Sequence, residues 1–218
     1  MVLINHDNPK YRQKWNLLGV NKWNGAFYYS KEICKYMIPN VDTNRNWITI
    51  NMPGEGVDHS IVFIHNNLHP EHYDWLKDYK DLILVCGIKE TAQKVKHLGK
   101  PIVLPLSIDV NYVKQFKVEE KTKEIAYVGR PNKRTDFKFP EGTEFIEGLP
   151  RTKLLPELAK FEKIFGIGRV ALEAKVLGCK ILPYDPRFPR PARWKVLDTL
   201  DAAKILQEKI DKIDKVCK

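Results

Sequence analysis

The chain has 218 residues, 43% hydrophobic and 11% aromatic, and its 37 Lys and Arg against 27 Asp and Glu give a formal net charge of +10. That length accommodates one α/β domain or two small ones with ample core. No apolar run approaches a membrane span, and the opening MVLINHDNPKYRQ has no apolar signal core. Cys34, Cys86, Cys179 and Cys217 are far apart and form no CxxC pair, so reduced thiols and a cytoplasmic setting are expected. The positive charge favours a polyanionic partner.

In chain order, Val2–His6 reads as a strand, and a polar loop follows to Asn24-Gly25. Ala26–Met37 reads as a helix stopped before Pro39. Trp47–Asn51 and Ile61–His65 are strands either side of the turn Pro53-Gly54-Glu55-Gly56. His69–Tyr79 is predicted helical, Leu82–Cys86 a strand, Lys89–Leu98 a helix and Pro101–Leu106 a strand. The charged stretch VNYVKQFKVEEKTK (110–123) reads as a linker. The alternation then resumes with strand Ile125–Val128, strand Thr143–Glu147, helix Leu154–Lys160 and strand Phe161–Gly166. Helix Val170–Leu177, strand Cys179–Leu182 and a long helix from about Pro191 to Val216 complete the chain.

Strands alternating with helices in this way predict parallel sheets covered on both faces. The expected architecture is two Rossmann-like halves, 1–115 and 116–218, with the last helix packing back on the first. Ligands of such sheets sit at the carboxyl ends of the strands. In the first half that rule picks out His6-Asp7, His65-Asn66, Gly87 and Ser107–Asp109.

The most informative stretch is ELAKFEKIFGIGRVALEAKVLGCKILPYD (157–185). Gly166 and Gly168 make a turn between a buried strand and a helix, and the helix N-terminus suits a diphosphate. Glu173 follows one helical turn later, and is read as facing the ligand, where it accepts hydrogen bonds from sugar hydroxyls; an ordinary strand–turn–helix with a surface Glu is the alternative. IAYVGRPNKR (125–134) likewise ends a strand in Gly129, followed by Arg130, Lys133 and Arg134. Those cations either hold phosphates or form a solvated basic loop.

GIGRVALEAKVLGCKILPYD resembles the donor-binding signature of GT-B glycosyltransferases of the retaining, glycogen-synthase-like type. IAYVGRPNKR resembles the first strand of the same domain, and LVCGIKETAQKVKHLGKPIVLPLSID the close of that family's first domain. The resemblance implies a GT-B fold with two domains facing a cleft, and transfer of a sugar from a nucleotide-diphosphate donor to a hydroxyl. It implies donor contacts at Gly25, Gly129, Arg130, Lys133, Arg134, Gly166, Gly168, Arg169 and Glu173. The family commonly pairs two glutamates eight positions apart here, and the earlier position is Phe165; Cys179-Lys180 stands where Cys-Pro is common. A sugar-nucleotide epimerase and a non-catalytic nucleic-acid-binding protein are the other readings.

His65, Asp7 and Asp109 are the candidate catalytic or acceptor-positioning groups. The chain contains no D-x-D triplet, and His65, His69 and His72 lack supporting Cys or acids, so no metal or other cofactor is expected beyond the donor. PRFPRPARWK (186–195) interleaves Arg187, Arg190, Arg193 and Lys195 with Phe188 and Trp194. It reads as a nucleic-acid contact or as a proline-stiffened connection. A nucleic-acid acceptor would match DNA-modifying glycosyltransferases encoded by phages and acting in the host cytoplasm; an anionic membrane or a teichoic-acid-like polymer would match the charge equally.

Overall fold

The computed structural model describes residues 3–4, 31–49, 58–64, 70–131, 134, 136–188 and 190–216. The chain divides into two compact units, one of residues 1–106 with 199–218 and one of residues 107–198. The α/β class with parallel sheets matches the expectation from sequence.

The sheet of the first unit runs β1 (Leu3–Ile4), β2 (Asn46–Ile48), β3 (Ser60–Ile64), β4 (Ile83–Cys86) and β5 (Lys100–Val103), all parallel and in sequence order. IVFI within β3 and ILVC are continuous apolar runs because both faces of β3 and β4 are covered. One face carries Ile48, Val62, Ile64, Leu84 and Cys86 against Tyr73, Leu76, Ala92, Val95 and Leu98. On the other face Trp47, Ile61, Phe63, Ile83 and Val85 are buried, with the Trp47 and Phe63 rings stacked at 6.1 Å. Burial pushes the Cys86 thiol up to about 12. Pro101 is tolerated in β5 because, among the described residues, that strand pairs on one side alone, with β4.

The expected helix at 69–79 is a 3-10 helix, Pro70–Asp78. Tyr73, Leu76 and Tyr79 recur every three residues, which is the 3-10 period, and all three reach the core. α1 is Lys89–Val95. The helical segment before Pro39 is a π-helical turn, Ile33–Met37, continued by 3-10 turn Ile38–Asn40; Pro39 sits in its first turn, where no N–H is needed.

The second unit has the parallel order β10-β9-β7-β8, with β7 Lys123–Val128, β8 Glu144–Ile146, β9 Phe161–Phe165 and β10 Lys180–Leu182. Its helices are α2 (Val110–Lys114), α3 (Arg151–Leu158) and α4 (Arg169–Val176). A parallel pair, β6 (Ser107–Ile108) with β11 (Leu197–Asp198), closes the unit.

The boundary near residue 115 is corrected by this pairing. The 110–123 stretch is no simple linker, because Asp109 caps α2 and Val113 is buried. The long helix expected from Pro191 begins at Thr199 as α5 (Thr199–Val216), after a 3-10 turn (Pro191–Arg193) and β11. It groups with the first unit, where Ala202, Ala203, Leu206 and Ile210 are buried and it packs on the helical turn at 33–40. Arg45, itself buried, ties it down by donating to Asp214 Oδ1 at 2.8 Å and to Asp81 O at 2.9 Å.

Candidate functional site

The second sheet has a reversal that the first lacks among the described residues. From β7 the chain moves outward to β8, then crosses back to β9 on the other side. The crevice outside the carboxyl ends of β7 and β9 is therefore a topological switch point, where open α/β sheets bind ligands. Tyr127 pairs with Phe165 in register, so Gly129-Arg130 and Gly166–Gly168 leave the sheet side by side. Five of the candidate donor residues (129, 130, 166, 168, 169) converge there.

Each glycine has its own physical reason. Gly168 caps α4 at φ +65°, ψ −139°, a conformation that L side chains rarely adopt, and a Cβ placed on it would meet nothing within 4 Å. The space above the turn is thus open. A Cβ on Gly166 would lie 3.0 Å from Val170 Cγ1, so here the strand and helix approach closely. At Gly129 a Cβ would come within 2.6 Å of the Tyr127 hydroxyl, which tucks under the turn and donates to Arg130 O at 2.9 Å.

The charged residues divide sharply. Arg130 is exposed, and no carboxylate pairs with it among the described residues. Arg134 is engaged instead, ion-paired with Glu147 and lying over the Phe145 ring at 4.3 Å. Arg169 is buried at the start of α4. Glu173 does not face outward as the sequence suggests: it is 3% exposed, with Oε1 3.0 Å from Arg151 Nε and 3.3 Å from Arg169 Nη2. Arg151 in turn lies over the Tyr112 ring at 5.2 Å. The carboxylate fixes two buried guanidiniums, one of them on the first residue of the helix that faces the crevice.

Asp109 is a helix cap. Its Oδ1 accepts from Tyr112 N at 2.9 Å, the bond an N-cap supplies. It belongs to the second unit rather than closing the first. His65, Asp7, Gly25 and Lys133 lie outside the described residues, as do His69 and the side chain of His72. His59, earlier in the chain, lies at the amino end of β3, with Nδ1 2.6 Å from Asp81 Oδ2 and Nε2 3.1 Å from Asn44 Oδ1.

The basic stretch is partly committed. Arg187 grips buried Asp185 with both arms of its fork, at 2.9 and 2.7 Å. That hydrogen bonding raises the arginine's affinity for its proton further. Trp194 is half-buried and edge-on to Phe188 at 5.8 Å, so its ring is not a free stacking platform. Arg190 and Arg193 are exposed.

A cluster of rings that sequence reasoning passed over lies at the same sheet end. Tyr127, Phe139, Phe165 and Tyr184 pack edge to face or tilted at 5.0–5.9 Å, and Phe137 and Phe145 join them while 37% and 47% exposed. Burial raises both phenols, so Tyr127 and Tyr184 stay neutral. Phe165, at the position where the resemblance leads one to look for a glutamate, is part of this core. The signal was present in F-K-F and Y-x-G, but the rings are brought together only by the strand order. Neither family models, curated proteins nor solved structures provide a match to the chain. Among the described residues, no helix is long and apolar enough to cross a membrane.

Proposed function

We propose that the chain is a glycosyltransferase of GT-B type that binds a nucleotide-diphosphate sugar in its second unit and transfers the sugar to an acceptor hydroxyl. The observation that carries this reading is the meeting of two glycine turns, Gly129 and Gly166–Gly168, at the switch point of the sheet. The diphosphate lies over the open Gly168 turn and the N-terminus of α4, with Arg130 closing on it from the end of β7. A leaving nucleoside diphosphate gains negative charge, and backbone N–H groups with a guanidinium stabilise it electrostatically. Glu173 is then a positioning residue, holding Arg169 at the head of the helix, rather than a direct sugar ligand. No metal takes part in this scheme.

The test is a thermal-shift and calorimetry series with nucleoside diphosphates and their sugars, followed by assay of nucleotide release with and without EDTA. A ligand at about 100 times its Kd should stabilise the protein by about 2.7 kcal/mol. Absence of any shift across the nucleotides refutes donor binding; activity restored only by magnesium or manganese refutes the metal-free scheme. A non-catalytic nucleotide-binding protein of the same fold is the second reading, favoured by the burial of Phe165.

A further inference from the structure

The turn at 190–195 has a property that the donor reading does not use. Residues 186–197 contain no acid, and the carboxylates that flank them in the chain are already occupied. Asp185 is held by Arg187, and Asp198 Oδ2 accepts from Val110 N at 3.1 Å. Arg190, Arg193 and Lys195 are therefore exposed cations with no carboxylate partner among the described residues.

Their backbone is also fixed in advance. Arg193 N donates to Arg190 O at 3.0 Å and Trp194 N to Pro191 O at 3.2 Å, closing the 3-10 turn Pro191–Arg193. From α4, Lys175 Nζ donates to Ala192 O and to Trp194 O, both at 2.9 Å, pinning the turn from behind. The Phe188–Trp194 ring pair backs the same turn. Arg190 is the N-cap and Arg193 the last residue of that turn, and the Arg193 N to Arg190 O bond holds the two residues on one short turn. Two guanidiniums carried on one such turn can reach neighbouring phosphates of one nucleic-acid strand.

We propose that this turn is a nucleic-acid contact that grips the phosphodiester backbone through Arg190, Arg193 and Lys195. Arg187 is excluded from the contact, because its charge is neutralised by Asp185. Recognition is of phosphate rather than of base, since Trp194 is packed against Phe188. The contact stands independently of the donor site; where both hold, the acceptor is a nucleic acid.

The experiment is fluorescence anisotropy of the full chain with a 20-base-pair DNA duplex between about 50 and 200 mM salt. Three phosphate contacts contribute about −2.7 to the slope of log K against log salt, which is about a 40-fold loss of affinity over that range. The triple variant Arg190→Ala, Arg193→Ala, Lys195→Ala should flatten the slope by that amount. Arg187→Ala should leave it nearly unchanged. Thermal melts check that each variant remains folded, and Arg187→Ala, which removes the cation gripping buried Asp185, is expected to melt below the triple variant. Absence of binding by the parent at about 50 mM salt overturns the proposal, as does an unaltered slope in the triple variant. Binding to phosphatidylserine vesicles that depends on the same three residues, with none to DNA, overturns it in favour of a membrane surface. Nucleoside diphosphate binding is measured on the same samples, so that failure of the donor site reads out separately.

Discussion

Replacing Glu173 by alanine should unfold or loosen the second unit, and the size of the effect follows from its surroundings. The side chain is 4% exposed, and its carboxylate lies against two guanidiniums whose own side chains are 10% and 7% exposed. Removing the carboxylate leaves two like charges facing each other in a site that water reaches poorly. Breaking a buried ion pair from one side costs about 3–5 kcal/mol, against a total stability of about 5–15 kcal/mol for a domain of ordinary stability. Glu173→Gln keeps the shape and one acceptor, and should cost less than Glu173→Ala. Because the chain has two units that need not unfold together, amide hydrogen exchange in β9 and α4 is the appropriate readout, alongside urea titration. A loss below about 1 kcal/mol in those amides would refute the argument that Glu173 is an internal counter-ion. Donor affinity measured on Glu173→Gln then reports the positioning role, which acts through Arg169.

Gly168→Ala should cost about 1–3 kcal/mol although its Cβ meets no atom, because the cost is in the backbone angle; urea midpoints equal to the parent's would show that the turn relaxes freely. It should also weaken nucleoside diphosphate binding, measured by calorimetry. Gly99→Ala in the first unit fails for the opposite reason, since its Cβ would sit 2.6 Å from the backbone oxygen of Leu82, and overpacking of this kind costs about 1–3 kcal/mol; hydrogen exchange in β4 and β5 unaffected by the substitution would refute it. Acid should destabilise both units. Burial works to raise Asp81, but hydrogen bonds from His59 and Arg45 outweigh it and hold the carboxyl below its usual range, and Lys123 and Lys160 do the same for Glu157. Stability from these depressed groups is present above the ordinary carboxylate range and is lost as pH falls through their folded values, from about pH 4 downward. Asp81→Asn should flatten the fall in urea midpoint at acid pH; an unchanged acid slope would refute its share.

The core strands were legible because burial on both faces leaves an unbroken apolar run, as in IVFI and ILVC. The 3-10 helix at 70–78 read simply as helical because apolar residues three apart satisfy both helical patterns over so short a length. The stretch at 110–123 read as a linker because a five-residue helix held by one cap and one buried valine has almost no periodic signal. Asp109 had the position of an N-cap directly before Val110, and that local chemistry accounts for it without a catalytic role.

For the candidate site, the backbone was more legible than the charges. A glycine at Gly129, Gly166 or Gly168 answers to its own φ or to atoms within a few positions, and those constraints are written locally in the chain. A charged side chain answers to partners brought in by the fold. Glu173 meets Arg151 from a different helix, and nothing in RTKLLPEL marks its first residue as an internal cation. Arg187 and Arg190 look equivalent in PRFPRPARWK, yet one is neutralised by a buried aspartate and the other is not. The same sorting separates Arg130 from Arg134, which Glu147 and the Phe145 ring engage. Among the described basic residues of these two stretches, those with no carboxylate partner are Arg130 at the switch point and Arg190, Arg193 and Lys195 on the pinned turn. Because an anion gains most from cations that are not already compensated, the proposed donor phosphates and nucleic-acid backbone would engage these groups and not the basic stretches as wholes.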